Sequence, residues 1–251
     1  MRLKIDYGIW DFSKREKLFL LSGCLLGGNF LGWLFFNEIL LGAVLGVGGY
    51  TFLKRGYCDW MIRKRKNRLL LQFQDLLYSL SSSVSLGRSM GQALKESYVF
   101  WEHTYDPGED IMVELKQMIV SMEMGNESEL ILLEDFAKRS GLHDISDFVM
   151  VYGCCRESGG NLVKAMNRAA RMIGDKISLE RELQSLLAQK QFEGRIIMAA
   201  PILILLLLKI MAPEYLEGLT GSATGYLISG LALVLIGVSI VFMERVNHID
   251  F

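Results

Sequence analysis

Residues 156–211 pass without an evident break from a one-sided helical pattern into a run that is apolar all round, and few folds accommodate both in one segment. Leu162, Met166, Ala169 and Ile173, followed by Leu179, Leu183 and Leu186, recur at steps of three and four, which places them on one helix face. In water that face needs a protein partner. From Ile196 to Ile210 the apolar residues surround the helix, which suits lipid better than a one-sided core. The stretch is thus expected to tie a water-soluble bundle to a membrane.

Three further runs, 18–36, 39–53 and 226–243, are nearly free of charge, and with the first they concentrate the apolar residues at the two ends of the chain. A membrane span needs about 20 apolar residues, within a range of about 17–25. The runs 18–36 and 226–243 fit. The run 39–53 is short and crosses only with Glu38 and the small residues around Tyr50. Four membrane helices in two hairpins, 18–53 and 196–243, are expected. Run 18–36 is not read as a signal peptide: it is too long for the apolar core of one, lacks a small-x-small cleavage site, and is followed at once by another apolar run. Gly23 and Gly27, Gly28 and Gly32, and Gly42 and Gly46 have the spacing that lets helix backbones approach closely in lipid. General glycine enrichment in membrane helices accounts for the same pattern.

Basic residues set the orientation. Arg2, Lys4, Lys14, Arg15 and Lys17 precede the first hairpin and Lys54, Arg55, Arg63, Lys64, Arg65, Lys66 and Arg68 follow it. The turns at Asn37-Glu38 and 212–225 contain no Lys or Arg. The positive-inside rule then puts both termini (1–17 and 244–251) and the middle section (54–195) in the cytoplasm. A net charge of −1 adds little, because acids and bases are interspersed in the middle section. The cluster 63–68 could serve nucleic acid, but its place beside a span points to membrane anchoring. Cys24, Cys58, Cys154 and Cys155 lack metal-ligand spacing and read as free thiols.

From residue 69 to 192 nearly everything reads as helix, in six apolar stripes. They are Phe73, Leu76, Leu80 and Val84; Met90, Ala93, Leu94 and Trp101; Ile111, Leu115, Met118 and Met122; Leu130, Leu133 and Ala137; Ile145, Phe148, Val149 and Tyr152; and the stripe that begins at Leu162. Ser89 with Gln92 and Asn126 with Glu129 are spaced as capping boxes, Asp144 and Asn161 are candidate N-caps, and Pro107-Gly108 is a turn. Short joints favour antiparallel neighbours, hence a compact helical bundle.

These residues carry a resemblance. Leu86-Gly-x-Ser-Met-x-Gln-Ala-Leu94, Met124-Gly125, Glu157-Ser-Gly-Gly-Asn-Leu162, Ala200-Pro201 and Val246-Asn-His-Ile-Asp250, in this order and with these flanking spans, resemble the type II secretion F-domain superfamily. The single F domain is most similar to the TadB-like platform proteins of tight-adherence (Flp) pili, with the TadC-like sister platforms as the alternative. The resemblance covers 68–250. It implies an all-α integral membrane protein, with a cytoplasmic six-helix F domain between two transmembrane hairpins. It also implies a non-enzymatic platform in the cytoplasmic membrane, working with a TadA-like secretion ATPase, a TadC-like partner and pilin subunits, and assembling as a homo- or hetero-oligomer. No cofactor and no nucleic acid belong to this reading.

Glu157, Gly159, Gly160 and Asn161 are the leading site candidates, either as a structural turn or as a partner contact: two glycines for a positive-φ turn, an asparagine cap, and a carboxylate free to reach a basic group. Gly87 and Gly125, each ahead of a helix start, carry the same two readings. Lys209 stands near the outer end of the third span and is expected to snorkel to the headgroups. Pro201 is expected to kink that span. His103, His143 and His248 are isolated from one another, and no phosphate-binding loop, HExxH or Gly-x-Ser-x-Gly occurs. A transporter would show more polar residues within its spans, and an intramembrane protease a pair of acids at membrane depth.

Overall fold

The computed structural model describes residues 5–9, 12, 14–125, 127–214 and 223–246, and the regular structure among them is entirely helical. The helices are α1 (Lys14–Phe36), α2 (Ile39–Ser85), α3 (Met90–Trp101), α4 (Asp110–Gly125), α5 (Glu129–Ser140), α6 (His143–Ser158), α7 (Leu162–Met211) and α8 (Ala223–Val246). Arg2, Lys4, Asn126, most of the turn 212–225 and the ending 247–250 with His248 lie outside the described residues. The chain divides into two compact units, one of Met1–Asp11 with Cys58–Glu180 and the other of Phe12–Tyr57 with Arg181–Phe251. The boundaries between Tyr57 and Cys58 and between Glu180 and Arg181 fall inside helices, so α2 and α7 each contribute residues to both units.

In the first unit the six stripes face one core. Phe73, Leu76, Leu80, Ile111, Leu115, Leu133, Ile145, Phe148 and Met166 are essentially inaccessible, and the Phe73 ring packs against Phe136 and Phe148. Burying each such side chain stabilises the fold by about 1.5–3 kcal/mol relative to leaving it in water. Consecutive helices pack in the order α3 on α4, α4 on α5 and α5 on α6, as short joints dictate. The expected stripe of α7 is buried only as far as Ile177; beyond it Leu179 is 57% and Leu186 67% exposed. The periodicity continues there, but no described element covers it.

The joints follow the expected chemistry with two corrections. Ser89 accepts a hydrogen bond from the Gln92 amide at 3.3 Å and caps α3, and Pro107-Gly108 turns the chain into α4. Helix α5, however, begins after Ser128, so Asn126 precedes the cap position. Helix α6 begins after Leu142 in extended conformation; Asp144 lies in its first turn and pairs with Lys176 at 2.8 Å rather than capping. A carboxylate one residue inside the helix still meets the positive end of its dipole.

In the second unit α1 and α2 form a hairpin that turns at Asn37, whose φ of 56° lies in the left-handed region. Their backbones touch. A Cβ on Gly28 would lie 2.4 Å from the Gly46 nitrogen, and one on Gly32 would lie 2.3 Å from the Gly42 Cα. Gly28, Gly32, Gly42 and Gly46 are therefore a packing surface, whereas a Cβ on Gly23 or Gly27 would meet nothing within 4 Å. Helix α8 packs on α1, with the rings of Phe36 and Tyr226 stacked 6.1 Å apart. Among the described residues, Lys14–Phe36 and Leu162–Met211 are long and apolar enough to cross a membrane, while the apolar part of α8, Thr224–Ser239, is shorter.

Candidate functional site

The turn between α6 and α7 brings the four leading candidates together. Gly159 closes α6 in the left-handed conformation with φ 70°, and the Gly160 amide donates back to the Cys155 carbonyl at 2.9 Å. Only Gly159 has positive φ; Gly160 does not, so the expectation of two such glycines is corrected to one. Gly160 is small for another reason, because a Cβ there would lie 3.2 Å from Cys155 Sγ and 3.4 Å from its Cα. Asn161 Oδ1 accepts from the Lys164 amide at 2.9 Å and caps α7.

Glu157 projects from the last turn of α6, exposed and without a hydrogen-bond or ion-pair partner among the described residues. Its neighbour Arg156 turns the other way, donating to Ser128 Oγ at 2.9 Å and lying 3.4 Å from Glu129. Glu129 also accepts from Tyr152 Oη at 3.1 Å, and burial followed by this carboxylate pushes the Tyr152 phenol above its ordinary range. The other two glycines lie at separate joints. Gly87, with φ 81°, ends the turn after α2, and Gly125 is the last residue of α4 with an ordinary φ.

A second constellation was not expected from the sequence. Glu114 on α4 is 1% exposed and holds Arg139 of α5 through two bonds of 2.6 Å, while Tyr7 Oη donates to the same carboxylate at 2.8 Å. Arg139 Nη1 also reaches the Ile5 carbonyl at 3.1 Å, and the Tyr7 amide donates to the Arg139 carbonyl at 3.2 Å. The amino-terminal segment is thus seated on the bundle. The bond to Glu114 raises the Arg139 pKa, and burial, then the Glu114 charge, raises that of Tyr7. The one available signal was Glu114 itself, an acid interrupting the apolar stripe between Ile111 and Leu115.

Three members of the basic cluster 63–68 engage the bundle, while Arg63 and Lys64 are exposed. Arg65 makes a two-pronged ion pair with Asp110 at 2.5 and 2.7 Å and covers the Tyr7 ring at 4.8 Å. Arg68 pairs with Glu109, and Lys66 reaches the Gly141 carbonyl at 3.4 Å. Bidentate pairing of this kind is directional as well as strong. These side chains hold α4 and α5 to α2.

In the apolar unit Lys209 does not point away from the protein. Its ammonium donates to the Trp33 carbonyl and lies over the Trp33 ring at 4.1 Å. That carbonyl belongs to the last turn of α1, where no later amide of the helix is available to it. Helix α7 continues through Pro201. All four cysteines are free, and among the described residues no three His, Cys, Asp or Glu side chains converge as metal ligands would. The arrangement offers a capped turn with an exposed carboxylate and a set of internal ion pairs.

Comparison with protein-family models, with curated proteins and with solved structures returns no match for this sequence.

Proposed function

We propose that this chain is a platform of the F-domain type in the cytoplasmic membrane, coupling a cytosolic secretion ATPase to the extraction and assembly of pilin subunits. In this reading four spans form two hairpins, both termini and residues 54–195 are cytosolic, and a TadC-like platform is a partner. The supporting observation is one of continuity. Helix α7 is a single element of 50 residues that places Met166, Ala170, Ile173 and Ile177 in the bundle core and carries an apolar span-length window toward its other end. A packed helix of this kind supplies the connection such coupling requires, since an element that shifts as a body transmits motion along the chain.

Two experiments test the reading. Insertion of Gly-Pro-Gly within 189–194 is expected to leave the protein inserted in the membrane but abolish filament assembly in the native host. Normal filaments from that variant would count decisively against it. Exposed Cys154 is expected to resist an impermeant maleimide in intact cells and to react after lysis. Labelling from outside would reverse the topology and remove the ATPase from reach.

A further inference from the structure

Helices α6 and α7 are joined by a three-residue turn, Gly159 to Asn161, and Lys176 meets Asp144 at 2.8 Å near their other ends. They therefore run antiparallel, and the ion pair sets their register: Glu157 stands level with Lys164, and Asp147 within one turn of Arg171. Each buries one face, Ile145, Phe148, Val149 and Tyr152 on α6 and Met166, Ala170, Ile173 and Ile177 on α7. Helical periodicity then puts Asp147, Met150, Cys154 and Glu157 on the opposite face of α6, and Lys164, Arg168, Arg171 and Met172 on that of α7. All eight are exposed. Because both buried faces turn to one core, both exposed faces open on the same side of the bundle unit. An acidic ridge with a methionine at its centre lies beside a basic ridge. None of its five charged residues has a partner among the described residues.

We infer that this surface joins two copies of the chain about a two-fold axis that runs along the groove between α6 and α7. Such an axis lays α6 of one copy antiparallel on α7 of the other, and does so twice, as a self-complementary interface requires. The register is preserved. Glu157 of each copy falls at Lys164 of the other, Asp147 at Arg171, and Met150 beside Arg168 and Met172. At the far end the signs invert, with exposed His143 on α6 meeting exposed Asp175 on α7. Opposite ridges steer the approach and fix the orientation, while the methionines supply the apolar centre. The inference does not depend on the platform reading.

The test uses the full chain, co-expressed with two different tags and extracted in mild detergent. The parent chain is expected to pull down its tagged twin. The double variants D147K/E157K and K164E/R171E are each expected to lose self-pairing by at least about tenfold, since four facing charge pairs become repulsive. Mixed with one another they regain it, because every pair is then opposite again. A parent chain that fails to pair, a double variant that still pairs with itself, or a mixture no better than either variant alone overturns the inference. As a second measurement, R168C with Cys24, Cys58 and Cys155 replaced by serine is expected to form an oxidative dimer through Cys154, and a purely monomeric product would contradict it. Loss of binding to phosphatidylglycerol vesicles by K164E/R171E with pairing unchanged would reassign the basic ridge to lipid and likewise overturn it.

Discussion

Tyr7 donates its phenolic hydrogen to Glu114, 107 residues further along the chain, and both groups are buried. That bond and the contact of Arg139 with the Ile5 carbonyl join the Tyr7 amide's bond to the Arg139 carbonyl, the edge of the Phe136 ring and the Arg65 guanidinium in holding residues 5–9 to the bundle. Replacing Tyr7 by Phe keeps the ring and removes the hydroxyl. A loss of about 1–2 kcal/mol is expected, because Glu114 keeps both bonds from Arg139. Glu114→Ala is expected to cost more, about 2–3 kcal/mol, since it removes both bonds to Arg139 and the acceptor of Tyr7 while Arg139 keeps Asp135 at 2.8 Å. Thermal or denaturant unfolding of the full chain in detergent, followed by circular dichroism, checks both; equal effects would show that Arg139 finds solvent when its partner is gone.

The same phenol predicts an alkaline transition. In the unfolded chain tyrosine loses its proton near pH 10, whereas burial and Glu114 raise the folded value above that. The contribution is fully present below about pH 10 and disappears as the pH rises toward the folded value, because only the unfolded state then releases the proton. Tyr105 and Tyr152 are shifted in the same direction by burial and by Asp75 and Glu129, so stability is expected to fall above about pH 10 and Tyr7→Phe to remove part of the fall. A variant with an unchanged slope would show that the Tyr7 contact opens before the bundle does.

The hairpin of α1 and α2 makes a positional prediction. Gly32→Val and Gly28→Val drive a side chain into the backbone of α2 and are expected to destabilise the hairpin by at least about 1–3 kcal/mol. Gly23→Ala and Gly27→Ala have open space before them and are expected to be neutral within about 0.5 kcal/mol. Thermal stability in detergent separates the two classes, and indifference at Gly32 would mean that the helices do not pack at this distance.

At the α6–α7 turn, Asn161→Ala removes the hydrogen bond to the Lys164 amide and is expected to cost about 1 kcal/mol. Gly159→Ala places a Cβ in the left-handed region and is expected to cost about 1–2 kcal/mol. Glu157→Gln touches neither feature and is expected to leave unfolding unchanged. A strong effect of Glu157→Gln on the melt would show that its carboxylate is engaged within the fold.

Lys209→Met is expected to loosen α1 from α7 by about 1 kcal/mol, since it abandons the Trp33 carbonyl and the ring together. Lys209→Arg retains a donor and a cation and is expected to recover most of the loss. Equal melting of the two variants would return Lys209 to the role of a side chain reaching for the headgroups.

Legibility differed from site to site for a physical reason. At Ser89, Asn161 and Pro107-Gly108 the turn chemistry depends on a few consecutive residues, and the structure realises it as the spacing implied. Asp144 and Asn126 obey the same local grammar but each misses the cap position by two residues, since α6 begins after Leu142 and α5 after Ser128. The glycine ladder was ambiguous since spacing cannot show which rungs meet another backbone: Gly28 and Gly32 do, Gly23 and Gly27 do not. The contacts of Arg65 with Asp110 and of Lys209 with Trp33 were not legible for a related reason, as a charge beside a span shows no partner in the sequence.

By itself, the amino-acid order determined that the chain is helical, where most helices start and stop, and which residues of α2 through α6 turn inward. Those properties follow from periodicity and capping, which act within a few turns. Only the tertiary structure decided that Tyr7 and Arg139 converge on Glu114, that Arg65 belongs to Asp110, that Gly28 meets Gly46 and Lys209 meets Trp33, and that the apolar stripe of α7 goes uncovered after Ile177. Each of these depends on which surfaces face one another, and a side chain's choice among distant partners is made by distance and desolvation, which no local pattern encodes.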